Sequence, residues 1–382
     1  MHKRVTNRKP KILFLVTEDW YFCSHRLPIA RAARDNGYSV VVATRVQSHG
    51  DQIEKEGFKL VPISMRRSSK NPFKEILSIL EITKIYRSER PDIVHHVAMK
   101  PVLYGSIAAL FGGIGAVVNA LAGMGYIFTS HDRKAKFLKP VVKLGFRFLL
   151  GWPNGRVIIQ NPDDRLMMIG AVGIPHEKVM LIKGSGVDTS RFAPTPEPEG
   201  PVIVALVSRM LWDKGIKEFV EAAQIVKKKC RGAQFVLVGS PDPENPASIP
   251  ESQLVEWTGS GAVLWRGHQD DIPTLWAQAH IAVLPSYREG LPKALLEAAA
   301  CGRPIVTTDT TGCREIVKHG KNGFLVPVGD SEKLAEALLR LIENPALRQE
   351  FGAKGREIAE TEFSQERVIA ETLTVYQELL SQ

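Results

Sequence analysis

Thirteen short apolar runs, none longer than seven residues and most of them rich in valine, isoleucine and leucine, recur along this chain with helix-compatible segments between them. Continuous runs of this kind, rather than alternating ones, are what strands covered on both faces require, and such strands belong to parallel sheets. Seven runs begin at Lys11, Val40, Leu60, Asp92, Ala116, Val157 and Val179, and six at Val202, Gln234, Val263, Ile281, Ile305 and Gly323. The proline cluster APTPEPEGP, Ala193 to Pro201, separates the two series. The expected fold class is therefore α/β, with two doubly wound, Rossmann-like domains whose strand ends face each other across a cleft. The boundaries are 1–192 for the N-terminal domain, 193–201 for the linker and 202–364 for the C-terminal domain. A last helix, 365–382, follows; periodicity does not decide whether it returns to the N-terminal domain.

Charge divides at the same place. Residues 1–195 carry 30 Lys+Arg against 15 Asp+Glu, and residues 196–382 carry 20 against 26, so a total of +9 hides a basic first half and an acidic second half. Cysteines at 23, 230, 301 and 313 have neither zinc-ligand spacing nor a disulfide framework, which suits a reduced, cytoplasmic setting. The apolar run from Lys11 meets Glu18 and Asp19 after seven residues, too soon for a signal-peptide core. Residues 101–130 contain no charged side chain, yet six glycines and Asn119 interrupt them, so a helix, a turn and a strand explain them better than a membrane span.

The richest chemistry lies in the stretch from Pro285 to Cys301. A strand ends, PSYREGLP turns, and a helix starts at Lys293. Backbone amides at that start, around Gly290, Leu291 and Lys293, form an anion site aided by the helix dipole. Glu289 precedes the turn and Glu297 follows eight residues later, and carboxylates are natural acceptors for sugar hydroxyls. Arg209 leaves the strand begun at Val202, with Lys214 five residues on; a guanidinium fork and a point charge suit a diphosphate. Neither a D-x-D motif nor a Walker-type loop occurs. No metal or other cofactor is therefore expected, and the two cations would have to serve in its place.

The pair Glu289 and Glu297 within PSYREGLP, the pair Arg209 and Lys214, and the stretch GHQDDIPTLWAQA from Gly267 resemble the family 4 retaining glycosyltransferases of the GT-B fold. The resemblance implies that Glu297 holds the nucleotide ribose, that Glu289 lies beside the donor sugar, and that Arg209 and Lys214 bind the diphosphate. It further implies that the amides of Gly290, Leu291 and Lys293 cradle the distal phosphate and that Gly267 and His268 flank the base. His280 stands where the family usually has an acidic residue. WYFCSHRLP from Trp20, PDIVHHVAMKP from Pro91 and NALAGMGYIF from Asn119 resemble members that use polyprenyl-diphosphate-linked acceptors.

In the first half, Ser24 reads as an N-cap for a helix beginning at His25 and Arg26, where a phosphate or sugar oxygen would fit. Trp20, Tyr21 and Phe22 replace the glycines common in that loop and suit an aromatic platform or the closing of a domain edge. His95, His96 and Lys100 close the fourth run; Val97 stands where many members have a second histidine, and Lys100 is the best match to the acceptor-side pattern. Gly123, Gly125 and Tyr126 form another open loop. Between His131 and Leu150, Lys136, Lys139, Lys143 and Arg147 share one helical stripe, and Phe137, Val141, Leu144 and Phe148 another. That is the pattern of an interfacial helix and equally of a half-buried one. The cluster from Met65 to Lys74 adds positive charge.

Together these readings imply transfer of a hexose or N-acetylhexosamine from a UDP-sugar to a lipid-linked saccharide, by a peripheral protein on an anionic membrane surface at the cytoplasmic face. The competing readings are a nucleotide-sugar epimerase and a non-catalytic partner subunit. A nucleic-acid partner is not expected, since no RNA- or DNA-binding module accompanies the basic half.

Overall fold

The structure, a computed structural model, describes residues 8–69, 71–123, 143–230 and 232–381. The chain divides into two compact units, Met1–Ile182 with Val368–Gln382, and Lys183–Arg367. The first unit thus ends ten residues before the boundary read at 192. The reason is that the segment after Lys183 joins the second unit: the Val187 amide donates to Phe363 O, and the Gln365 amide donates to Val187 O.

All thirteen runs are strands. In the first unit, β1 (Lys11–Glu18), β2 (Ser39–Arg45), β3 (Lys59–Pro62), β4 (Ile93–Val97), β5 (Ala116–Ala120), β6 (Gly155–Ile159) and β7 (Val179–Leu181) form a parallel sheet ordered β3-β2-β1-β4-β5-β6-β7. Residues Ile12 to Val16 of β1 are at most 1% exposed, with Ile12, Phe14 and Val16 in one core layer and Leu13 and Leu15 in the other. Two-sided burial of this kind explains why the run shows no polar alternation. Pro62 ends an edge strand, where a missing amide costs no ladder bond.

Helices α1 (Asp19–His25) and α2 (Leu27–Asp35) follow β1, α3 (Gly50–Lys55) follows β2, α4 (Pro72–Glu89) follows β3, and α5 (Met99–Gly112) follows β4. Asn71 caps α4 by accepting from the amides of Phe73 and Lys74, with Pro72 in the first turn. Gly113, at φ 70°, stops α5 in the left-handed conformation that glycine tolerates. The charge-free stretch is accordingly helix, turn and strand as far as Gly123, and among the described residues no helix is long and apolar enough to cross a membrane. The C-terminal helix, Gln365–Ser381, buries Val368, Val375, Tyr376 and Leu379 in the core beside β1 and β4.

In the second unit, β8 (Val202–Val207), β9 (Ala233–Val238), β10 (Leu264–Trp265), β11 (Ile281–Leu284), β12 (Ile305–Thr308) and β13 (Gly323–Val326) form a parallel sheet ordered β10-β9-β8-β11-β12-β13. The strand order reverses between β1 and β4 in one unit and between β8 and β11 in the other. Doubly wound sheets bind ligands beyond the carboxyl ends of the strands at such reversals.

Candidate active site

The loops after β8 and β11 meet at the reversal in the second unit. Lys214 Nζ donates to Glu289 Oε1 at 2.5 Å, joining the two motifs read separately in the sequence. The lysine is placed by a short 3-10 turn, Trp212–Lys214, which is tied to the β11 loop. Ser286 Oγ donates to Asp213 O at 3.0 Å, and the Tyr287 amide donates to the same oxygen at 2.9 Å. Tyr287 OH in turn donates to Glu218 Oε1 at 2.6 Å, a bond that with burial pushes the phenol up to about 12. Gly215 lets the loops approach: at φ 72°, a Cβ there would stand 2.0 Å from Pro285 O.

The helix Lys293–Ala300 begins beside this pair. Pro292 is its N-cap and makes no side-chain cap bond. Gly312 packs under the turn, where a Cβ would stand 2.3 Å from Gly290 O. Glu297 is 7% exposed, one turn from Lys293, whose Nζ lies 3.6 Å from Glu297 Oε1. Burial raises the Glu297 carboxyl above its ordinary range against the opposing pull of Lys293 and Arg191.

Arg209 donates to Asp242 Oδ2 at 2.6 Å. Farther along the same edge, the Gly239 amide donates to Gly267 O at 2.7 Å, and Gly239 approaches Ser208 so closely that a Cβ would stand 1.8 Å from Ser208 O. Arg209, Lys214, Glu289, the Gly290–Lys293 turn and Gly267 therefore line one continuous strand-end edge. His268 lies at its exposed end, 3.2 Å from Asp270. His280 is internal: it accepts from the Ile203 amide at Nδ1, which leaves Nε2 to donate to Pro198 O. It braces the linker to β8 and has no contact with that edge.

The first unit corrects several expectations. Ser24 is not an N-cap; it is an exposed residue in the last turn of α1, and Arg26 forms the junction to α2. Of the aromatic trio, Phe22 is core, packed edge-on against Phe14 and Phe58, while Tyr21 stacks on His25 with centroids 4.2 Å apart. Arg26 is 3% exposed; Nη1 donates to His25 O, and Nε is buried with no partner among the described residues.

His95 and His96 are buried packing residues rather than presented groups. His95 Nδ1 meets Tyr376 OH at 2.5 Å, and burial, with a further push from Arg26, holds its pKa well below the usual histidine value. His96 donates from Nδ1 to Asn119 Oδ1 and accepts at Nε2 from Tyr86 OH, each at 2.8 Å. Burial lowers its pKa to about 4. Lys100 is occupied as well: Nζ donates to Arg66 O and Ser69 O and pairs with Glu75 at 2.8 Å, anchoring the start of α4. Gly123 has a φ of 135°, and Gly125 and Tyr126 lie outside the described residues.

Residues 201–344 match the family described as glycosyl transferases group 1, and residues 11–149 match the one described as glycosyl transferase 4-like. The chain belongs to the family 4 glycosyltransferases. As a glycosyltransferase it is 29% identical over 336 residues to N,N'-diacetylbacillosaminyl-diphospho-undecaprenol alpha-1,3-N-acetylgalactosaminyltransferase of Campylobacter jejuni, covering 85% of this chain and 87% of the relative. It is 27% identical to UDP-Gal:alpha-D-GlcNAc-diphosphoundecaprenol alpha-1,3-galactosyltransferase of Escherichia coli, covering 72% of each. The HepE protein of Anabaena, solved with UDP and glucose, superposes with a TM-score of 0.75 at 21% identity over 96% of this chain and 99% of that one. The GT-B fold and hexosyltransferase class follow for this enzyme.

Two features of the glycosyltransferase escaped the sequence reading. Asp242, in the loop after β9, holds Arg209; its position at a strand's carboxyl end was the available signal. Ala98, between β4 and α5, has φ 74° and ψ 168°, a conformation rare for any residue with a side chain and one that tends to collect at functional edges.

Proposed function

We propose that the enzyme transfers a hexose or N-acetylhexosamine from a UDP-sugar to a lipid-linked saccharide in surface polysaccharide or glycan assembly, with retention of anomeric configuration and without a metal ion. The observation that carries this reading is the meeting of Lys214 and Glu289 beside the start of the Lys293 helix at the β8/β11 reversal. Relatives whose names specify undecaprenyl-diphosphate-linked acceptors and UDP-Gal support the substrate classes. Arg209 and Lys214 bind the diphosphate, which competes with Asp242 and Glu289 for them. Amides of Gly290, Leu291 and Lys293 receive its distal phosphate, Glu297 the ribose hydroxyls, and Gly267 and His268 flank the base.

No carboxylate is placed as an enzymic nucleophile in this reading, so the acceptor hydroxyl attacks the anomeric carbon from the leaving-group side. The new C–O bond forms as the bond to the phosphate breaks, and the hydroxyl proton passes to a phosphate oxygen of the departing UDP. The two cations stabilise charge developing on that phosphate. Among the described residues no cluster of His, Cys, Asp and Glu is grouped to hold a metal ion. The enzyme works peripherally at the cytoplasmic membrane face, where such acceptors are anchored. The test is a panel of nucleotide sugars with a membrane lipid extract in the presence of a chelator. Transfer with an axial, donor-like product linkage is expected; an inverted product, or loss of transfer on chelation, overturns the corresponding part. Incubation with donor alone separates an epimerase.

A further inference from the structure

Helix α4 carries apolar side chains on two faces. Its inner face buries Ile82 and Tyr86 against the sheet. Its outer face presents Phe73, Ile76, Leu77 and Leu80, which are 78%, 55%, 62% and 59% exposed. The spacing i, i+3, i+4, i+7 puts these four on a single stripe, and Lys84 and Arg87 continue the same stripe toward the C-terminus. A run of large exposed apolar residues on one face marks an interaction surface rather than scattered surface hydrophobics.

The charges around the stripe are sorted by sign. Every acid of α4 is engaged with the fold: Glu75 pairs with Lys100, Glu81 accepts from the Ser64 amide and hydroxyl, and Glu89 pairs with Lys11 and Lys59. Of the bases, Arg87 is exposed while its guanidinium donates to Phe111 O at 3.1 and 3.0 Å. Lys74 and Lys84 are exposed with no carboxylate partner among the described residues, and Arg66 is exposed just before the helix. The outer face therefore combines an apolar ridge with uncompensated positive charge, which is complementary to an anionic lipid surface and not to an apolar or basic protein face.

The neighbouring part of the same layer repeats the pattern. Residues 143–150 are helical, and Phe146 and Leu150 are buried against β6, on the sheet face that α4 and α5 also cover. Leu144 and Phe148, each 69% exposed, look outward beside Lys143 and Arg147. A planar bilayer can receive separate apolar pegs from adjacent helices at once, whereas a protein partner would need an acidic groove shaped to each. The Lys100–Glu75 anchor holds the start of α4 next to the β4 end, so the ridge begins at the edge of the sheet where ligands bind.

We propose that the outer face of α4 is the membrane-docking surface, inserting Phe73, Ile76, Leu77 and Leu80 among anionic lipids while Arg66, Lys74, Lys84 and Arg87 engage their headgroups. That this docking serves delivery of the lipid-linked acceptor rests on the reading under Proposed function. The experiment is co-sedimentation of the purified protein with phosphatidylglycerol vesicles and with phosphatidylcholine vesicles, alongside size-exclusion chromatography. Binding to the anionic vesicles is expected to exceed binding to neutral ones at least tenfold. The variant Phe73→Ser/Leu77→Ser is expected to lose about tenfold even at low salt, and Lys74→Glu/Lys84→Glu to lose the salt-sensitive part.

Both variants change exposed positions and should retain the far-UV dichroism, the melting temperature and transfer to a detergent-dispersed acceptor with a shortened prenyl chain. Wild-type protein that remains in the supernatant with anionic vesicles overturns the proposal, as does a serine variant that sediments equally well. A wild-type dimer converted to monomer by the serine variant also overturns it, and assigns the face to a second copy. If vesicle binding fails while detergent-dispersed transfer persists, docking falls and the glycosyl-transfer reading stands; stripe-dependent binding without transfer from any donor has the reverse meaning.

Discussion

Lys214 is 19% and Glu289 10% exposed as side chains, so each shields the other's charge and neither is a solvated surface group. Replacing Lys214 by alanine is expected to lower kcat for transfer on the order of 100-fold, the usual scale for losing one group that stabilises developing negative charge. Steady-state kinetics with a UDP-sugar checks this, and unchanged turnover removes the diphosphate role. His96 offers a pH test. Its folded pKa of about 4 lies below the unfolded value, so the neutral ring stabilises the fold fully above about pH 6.5, and the contribution is lost as pH falls from there toward 4. Roughly 3 kcal/mol is at stake, measurable by urea unfolding of wild type and His96→Gln between pH 7.5 and 4.5, the variant giving the flatter profile. Residue types and spacing singled out Arg209, Lys214, Glu289 and Glu297, and the structure brings Lys214 and Glu289 into contact. The histidines misled because a histidine at a strand end looks the same whether it faces a ligand or the core; only the distant partners Tyr86, Asn119 and Tyr376 decide it.

Central strands were readable because β-branched runs buried on both faces leave little ambiguity; the edge strand Leu264–Trp265 is only partly covered and follows the buried Val263. The start of α1 was not readable, since Asp19, its first residue, is tied to a distant loop. Burial alone would raise this carboxyl, but amide donors from Gln47, His49, Trp20 and Ser48 outweigh burial and hold its pKa below the usual range. Three of those donors lie in the loop after β2, beyond any local sequence window. Close packing of elements also sets a sharp test at Gly215. Alanine there combines a left-handed backbone with a clash against Pro285 O and should cost roughly 3 kcal/mol while separating Lys214 from Glu289. Gly320 has the same φ of 72° but open space around its Cβ position, so Gly320→Ala should cost only about 1 kcal/mol and leave transfer intact. Thermal melts and transfer assays on the two variants separate backbone strain from site geometry.

At the scale of the molecule, each unit has its own sheet and its own core, so unfolding need not be a single transition. In scanning calorimetry, UDP is expected to raise the transition of Lys183–Arg367 and leave the other unmoved. At 100 times the dissociation constant the gain is about 2.7 kcal/mol. A shift confined to the first unit would reassign the nucleotide site. The second unit is continuous in sequence, whereas the first is completed by the C-terminal helix, whose Tyr376 closes over His95. During synthesis every residue of the second unit is therefore joined to the chain before the first unit's last piece. Until residues beyond Val368 emerge, the nascent β1 and β4 layer stays uncovered, a surface for chaperones, and truncation before Val368 would strike the unit built from the earlier residues.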